Sequence, residues 1–210
     1  FQGPFDFRQE LDTQTTQLIA SSNTTTLKLT QALNTLNNIA VMLDHEGREE
    51  LAEIYWRNYL LFEEAIPSVL KVAQAKHNLG RMLMAQGQYT ESLELLFAAT
   101  QSFTDLNNTD WLATSLIHLS QLYSAMGNDE SAFQLIDEAF DLNSSDIVNQ
   151  AEAWRFFAKL LEKQENHTQA CSAFETAFNL YTKAGIQYSS LQLQSEYANC
   201  LYHSGNKEQS

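Results

Sequence analysis

Residues that interrupt helices are scarce in this chain, with 2 prolines and 7 glycines in 210 residues. Long helices can therefore run with few breaks. Cysteine is nearly absent, at 2, and no paired Cys/His spacing suggests zinc. Basic side chains are few: 12 Lys and Arg face 26 Asp and Glu, for a net charge of −14. That balance argues against a segment that grips a phosphate backbone, because such affinity needs clustered Lys and Arg. It suits a basic partner, and equally a solvated acidic exterior. No apolar run approaches the roughly 18 residues that span a bilayer, so no membrane insertion is expected. No glycine-rich phosphate loop occurs, and no Ser/His/Asp set can be assembled by spacing. Neither catalysis nor a cofactor is expected.

What is present is one pattern repeated five times. The first copy reads Leu36-x2-Ile39-Ala40-x2-Leu43, Gly47, then Ala52-x3-Trp56-x2-Tyr59. The second has Leu79-Gly80-x2-Leu83, Gly87, then Ser92-x3-Leu96-x2-Ala99. Leu119-Ser120-x2-Tyr123, Gly127 and Ala132-x3-Ile136-x2-Ala139 make the third. The fourth is Phe157-Ala158-x2-Leu161, Glu165 and Ala170-x3-Phe174-x2-Ala177, and a fifth begins with Tyr197-Ala198-x2-Leu201 and Gly205. Ala52 to Ser92 and Ser92 to Ala132 are each 40 residues apart, and Ala132 to Ala170 is 38. A period of this length marks stacked helix pairs. The glycines end the first helix of each pair, where a left-handed residue is cheap without a Cβ. Glu165 breaks that rule, and Asn166 beside it is expected to take the left-handed conformation instead. The small residues let partner helices approach, and the larger ones fill the space between.

These residues resemble the tetratricopeptide repeat family over roughly 33–207. The interval of 40 exceeds the usual 34 of that family, adding over one and a half turns per unit at about 3.6 residues per turn. The usual proline at the end of each unit is missing. The resemblance implies an all-α, right-handed superhelix (an α-solenoid) of antiparallel helix pairs, with about five units starting near 33, 73, 113, 151 and 191 and the last one incomplete. Residues 1–4, Phe1-Gln2-Gly3-Pro4, look like the remnant of a protease site, and 5–32 should hold a lead-in helix and the start of the first repeat helix. A piece of a longer polypeptide is expected. Cys171 and Cys200 fall in different repeats on helical stretches and are expected as two buried free thiols. The Asn-x-Ser/Thr triplets at Asn23, Asn107, Asn143 and Asn166 are weak signs of secretion in a chain so rich in Asn.

In such arrays the first helix of each pair lines a concave groove. Its non-core positions here include Asn37; His77, Asn78 and Arg81; His118 and Gln121; Arg155 and Lys159; and Asn199. Amide side chains both donate and accept, which suits an extended peptide backbone, while the basic residues suit a carboxylate. His77 and His118 lie on neighbouring inner helices without a third ligand, so they are expected as polar wall and not as metal ligands. Trp56, Trp111 and Trp154 sit at core-type places. The family's clamp for a C-terminal carboxylate uses Lys and Asn, then Asn, then Lys and Arg on three successive first helices. Of the matching Asn37 and Val41, Asn78, and Thr114 and His118, only Asn78 fits, so a chaperone-tail receptor is not expected.

The resemblance therefore implies a non-catalytic module that binds a protein or peptide. Long units of this kind resemble the sensing or docking part of larger bacterial signalling proteins. A subunit of a eukaryotic-type scaffold and a peptide-pheromone receptor domain are the alternatives. A cytoplasmic location is expected, with a periplasmic or extracellular sensor as the alternative. Self-association through the incomplete last unit is also expected, since Tyr197 and Leu201 lack a following helix.

Overall fold

A computed structural model describes residues 26–62, 68–142 and 144–207. The expected lead-in helix, the segment 1–4, Asn23 and Asn143 lie outside these residues. The described chain is all helix, and its elements alternate between inner and outer positions. They are α1 (Thr26–His45), α2 (Glu49–Leu60), α3 (Val69–Ala85), α4 (Tyr89–Asp105), α5 (Thr109–Ala125), α6 (Asp129–Asp141), α7 (Ile147–Lys163), α8 (His167–Ala184) and α9 (Gln187–Lys207). Consecutive helices pack antiparallel as α1–α2, α3–α4, α5–α6 and α7–α8, with α9 laid against α8. This is the expected solenoid of stacked pairs.

The turns at Gly47, Gly87, Asn107, Gly127 and Glu165 each use one left-handed residue followed by a helix cap. Gly87, at φ +78°, donates to the Met84 carbonyl (3.0 Å) while Gln88 donates to that of Leu83 (2.8 Å). These bonds satisfy carbonyls that the helix end would otherwise leave open. Glu165 corrects the expectation at the fourth unit. It takes the left-handed conformation itself, at φ +59°, with the same bonds to Glu162 and Leu161. Asn166 is instead the N-cap of α8, accepting from the Gln169 N–H. Asn108 and Asn128 cap α5 and α6 in the same way. Three asparagines of this chain thus serve to start helices. Gly205 departs from expectation, because α9 runs through it to Lys207. Among the described residues no helix follows α9 that would require a turn there. Ala198, expected as a packing contact, is exposed for the same reason.

The small positions do what their size allows. A Cβ on Gly80 would lie 2.8 Å from Leu96 Cγ, so α3 and α4 touch at a distance only glycine permits. Ser92 Oγ donates to the Gly80 carbonyl (2.7 Å), and Ser120 Oγ to the Ala132 carbonyl (2.6 Å). Around these contacts Trp56, Phe103, Ile136, Phe174 and Tyr181 are fully buried, each stabilising the fold by about 1.5–3 kcal/mol of apolar transfer.

The cysteines overturn the free-thiol expectation: Cys171 and Cys200 form a disulfide across α8 and α9. Successive repeats stack directly, so residues assigned to different units face each other, with Cα atoms 5.6 Å apart. That separation is the usual one for a disulfide.

Gly80→Val should destabilise the fold by about 1–3 kcal/mol through overpacking and so lower the denaturation midpoint. Equilibrium unfolding followed by circular dichroism checks this. An unchanged midpoint would remove Gly80 from the α3–α4 contact.

Candidate functional site

The inner helices enclose a groove of about 870 Å3. Asn37, Val41 and Asp44 reach it from α1, and His45 and Glu49 close one end. Gln74, Asn78 and Arg81 come from α3, Trp111 from α5, and Val148 and Glu152 from α7. A cavity of this size is in the range that holds ligands, and its walls are about evenly polar and apolar. Asn37 Oδ1 is enclosed there without a hydrogen-bond partner among the described residues. A buried acceptor left unpaired costs about 1–3 kcal/mol.

The expected site residues divide into groups. Asn37, Asn78 and Arg81 line the groove. His77 lies beneath the wall, 1% exposed, and His118 and Gln121 are half-buried. Asn199 is exposed on α9. Arg155 and Lys159 turn to α9, where both meet Glu196. Arg155 Nε and Nη2 make a paired contact at 2.8 and 2.7 Å, and Lys159 Nζ lies 3.0 Å from the same carboxylate. Burial works against the charge on Glu196, yet Arg155 and Lys159 hold it below its ordinary range.

These contacts belong to a ladder between successive inner helices. Lys71 donates to Asn34 (2.6 Å), Arg81 pairs with Asp44, Asn149 donates to the Asp110 carbonyl (3.4 Å), and Lys163 reaches Ser124 Oγ (2.9 Å). The partners stand 37 to 41 residues apart, one repeat each.

Asp44, His45, Glu49, Trp111 and Val148 are groove residues that sequence reasoning missed; Trp111, expected at a core-type place, packs against the core and also faces the groove. It is half-buried, stacked on Phe103 at 5.5 Å with its plane tilted 26°, and exposed to the groove. The repeat register carried the missed signal. Forty residues earlier stands Lys71, an exposed position with no apolar demand.

Behind Trp111 runs a polar chain. Thr100 donates to the Leu96 carbonyl (2.7 Å), and its oxygen lies 2.6 Å from Ser115 Oγ. Ser115 Oγ is 3.4 Å from His77 Nδ1, and His77 Nε2 is 3.0 Å from His118 Nδ1. With the Thr100 proton on Leu96, Ser115 donates to Thr100, His77 Nδ1 to Ser115, and His118 Nδ1 to His77 Nε2. The chain therefore runs one way and needs His77 neutral. Burial pushes His77 well below the ordinary histidine range, with His118 and Arg81 adding repulsion. Burial, then Arg81, pushes His118 down to about 3.

An unfolded histidine takes up its proton near pH 6.5, whereas these two resist it when folded. Stability should be complete above about pH 6.5 and fall as the pH drops below it, by up to about 1.4 kcal/mol per pH unit for each histidine. Denaturation midpoints measured from pH 7.5 to 5 check this, and His118→Gln should flatten the profile. A variant profile that tracks the parent would place the pH dependence elsewhere. The carboxylates held low by their partners (Glu91, Asp110, Asp129) contribute at more acidic pH than this window.

Among the described residues no group of three His, Cys, Asp or Glu is placed to hold a metal ion, and no helix is long and apolar enough to cross a membrane. The groove can donate, accept and carry charge, which is the chemistry of recognition.

Comparison with known proteins agrees with this architecture. Residues 71–145 match the tetratricopeptide repeat family model. No curated protein matches in sequence. The crystal structure of BtubC (BKLC) from P. vanneervenii is similar in fold, with a TM-score of 0.69 at 13% identity over 94% of this chain and 82% of that one. A putative kinesin light chain from Podosopora anserina with nearly identical TPR-like repeats gives 0.60 at 18% identity over 85% and 89%. Such repeats generally mediate protein–protein interaction. The chain thus matches the tetratricopeptide repeat model over its centre and shares over most of its length the fold of these helix-pair solenoids.

Proposed function

We propose that this array is a non-catalytic docking module that holds an extended segment of a partner protein in the groove of α1, α3, α5 and α7. The observation that carries the reading is the groove itself, about 870 Å3 of space lined by amides from successive repeats and floored by Trp111. Asn37 and Asn78 can bond a peptide backbone in either sense, and the tryptophan offers a broad apolar face. Four inner helices about 9 Å apart span a length that an extended chain covers in roughly eight residues at 3.3 Å each. Arg155 and Lys159 act in this reading through Glu196, keeping α9 in place, and Arg81 acts through Asp44 as part of the wall. The long repeat interval supports a place within a larger signalling or regulatory protein, as its sensing or docking part.

Partners recovered by affinity capture test this when titrated against variants. Trp111→Ala and Asn78→Ala should each weaken binding by about tenfold, equivalent to about 1.4 kcal/mol. Glu94→Gln and Glu138→Gln, on the exposed sides of the outer helices, should change it less than about twofold. Thermal melts confirm that each variant is folded. If the outer variants lose binding while the groove variants keep it, recognition belongs to the convex face.

A further inference from the structure

We infer that the groove selects a cationic segment, an extended peptide bearing lysine or arginine beside an apolar side chain. The inference rests on the groove being the binding site. Sequence alone pointed the other way, because Arg81, Arg155 and Lys159 seemed to offer positive charge to an acidic ligand. The structure shows each of them engaged. Arg81 is closed on Asp44, while Arg155 and Lys159 share Glu196 on α9.

Apart from its amides and the Asp44-paired Arg81, the charged groups that the groove offers a ligand are acidic. Glu49 is exposed at one end of the groove, with no ion pair among the described residues. Glu152 sits at the other end, accepting the Tyr181 hydroxyl, and the nearest base, Arg155, is already turned to Glu196. Trp111 adds the negative face of an indole, to which an ammonium or guanidinium is drawn within about 6 Å. Two carboxylates and a π face all favour a ligand that carries positive charge. An acidic segment would find none of the three cations free and would be repelled from both ends. The net charge of −14 adds a long-range field that attracts cationic partners and speeds their association.

The test uses the full chain and two fluorescein-labelled synthetic peptides of about eight residues, the length an extended strand needs to cross the groove. One alternates Lys with Leu and the other alternates Glu with Leu. Fluorescence anisotropy should show the lysine peptide binding at least about tenfold tighter. Glu49→Gln combined with Glu152→Gln should remove most of that preference. Both changes preserve shape, and the glutamine at 152 still accepts from Tyr181. Combined Glu94→Gln and Glu138→Gln on the outer helices removes the same charge and should leave the preference intact.

A lysine peptide that fails to bind, or binds no better than the glutamate peptide, overturns the inference. If the glutamate peptide binds more tightly and Trp111→Ala abolishes it, the charge assignment falls while the groove reading stands. If the lysine peptide responds to the outer pair and not to Glu49 and Glu152, both fall.

Discussion

The close approach of paired helices at small residues is the constraint on which the rest of this molecule depends. Glycine at position 80 lets α3 meet Leu96 of α4 at a separation no Cβ would tolerate. Ser92 and Ser120 convert the same closeness into hydrogen bonds onto backbone carbonyls. Once the hairpins are this tight, the outer helices stay to one side and the inner helices come into contact with one another. The groove exists because of that asymmetry. A bulkier residue at a single small position would push one pair apart and displace every unit beyond it.

The electrostatics of the groove follow from stacking more than from composition. An inner helix in the middle of the array has neighbours on both sides, so its long charged side chains reach an adjacent repeat before they reach solvent. Arginine suits this, because its planar fork binds a carboxylate in two places, as Arg155 does with Glu196. The bases are thereby consumed as internal fasteners. In a chain with a twofold excess of acid, the side chains left facing the groove are carboxylates and amides. The paired histidines fit the same logic. A neutral, one-way hydrogen-bonded chain is a cheaper way to fill the α3–α5 contact than a charge without a counter-ion.

Most of the fold was legible in the sequence, because helical periodicity, turn glycines and small residues are local signals that five copies reinforce. Helix bounds, the burial of Ala52, Ala132 and Ala170, and the left-handed turns at Gly47, Gly87 and Gly127 all follow from them. The site was less legible. Inner-face membership can be read from register, but whether Arg155 points into the groove or along it depends on the rotation between units, which no single repeat encodes. The disulfide was hidden for the same reason, since its cysteines meet only through stacking. Trp111 was assigned to the core by its helical place, and it does pack against Phe103, but its register-mate Lys71 marks the position as open. Glu165 shows the limit of residue rules at turns: the bonds to Glu162 and Leu161 and the packing of α8 outweigh the modest preference against a left-handed glutamate.

The contact between α7 and α9 ties the charge of the groove to the placement of its last helix. Glu196 is the counter-ion of both Arg155 and Lys159, and it stands on an element joined to α8 through Cys171–Cys200. With α9 docked, that end of the groove presents Glu152 as a net negative pole. Were α9 to lift away, the same stretch of α7 would expose two cations beside one carboxylate, and the pole would reverse sign. The polarity of the binding surface is thus a property of tertiary docking, held covalently at one point, and not of the helix that carries the charges.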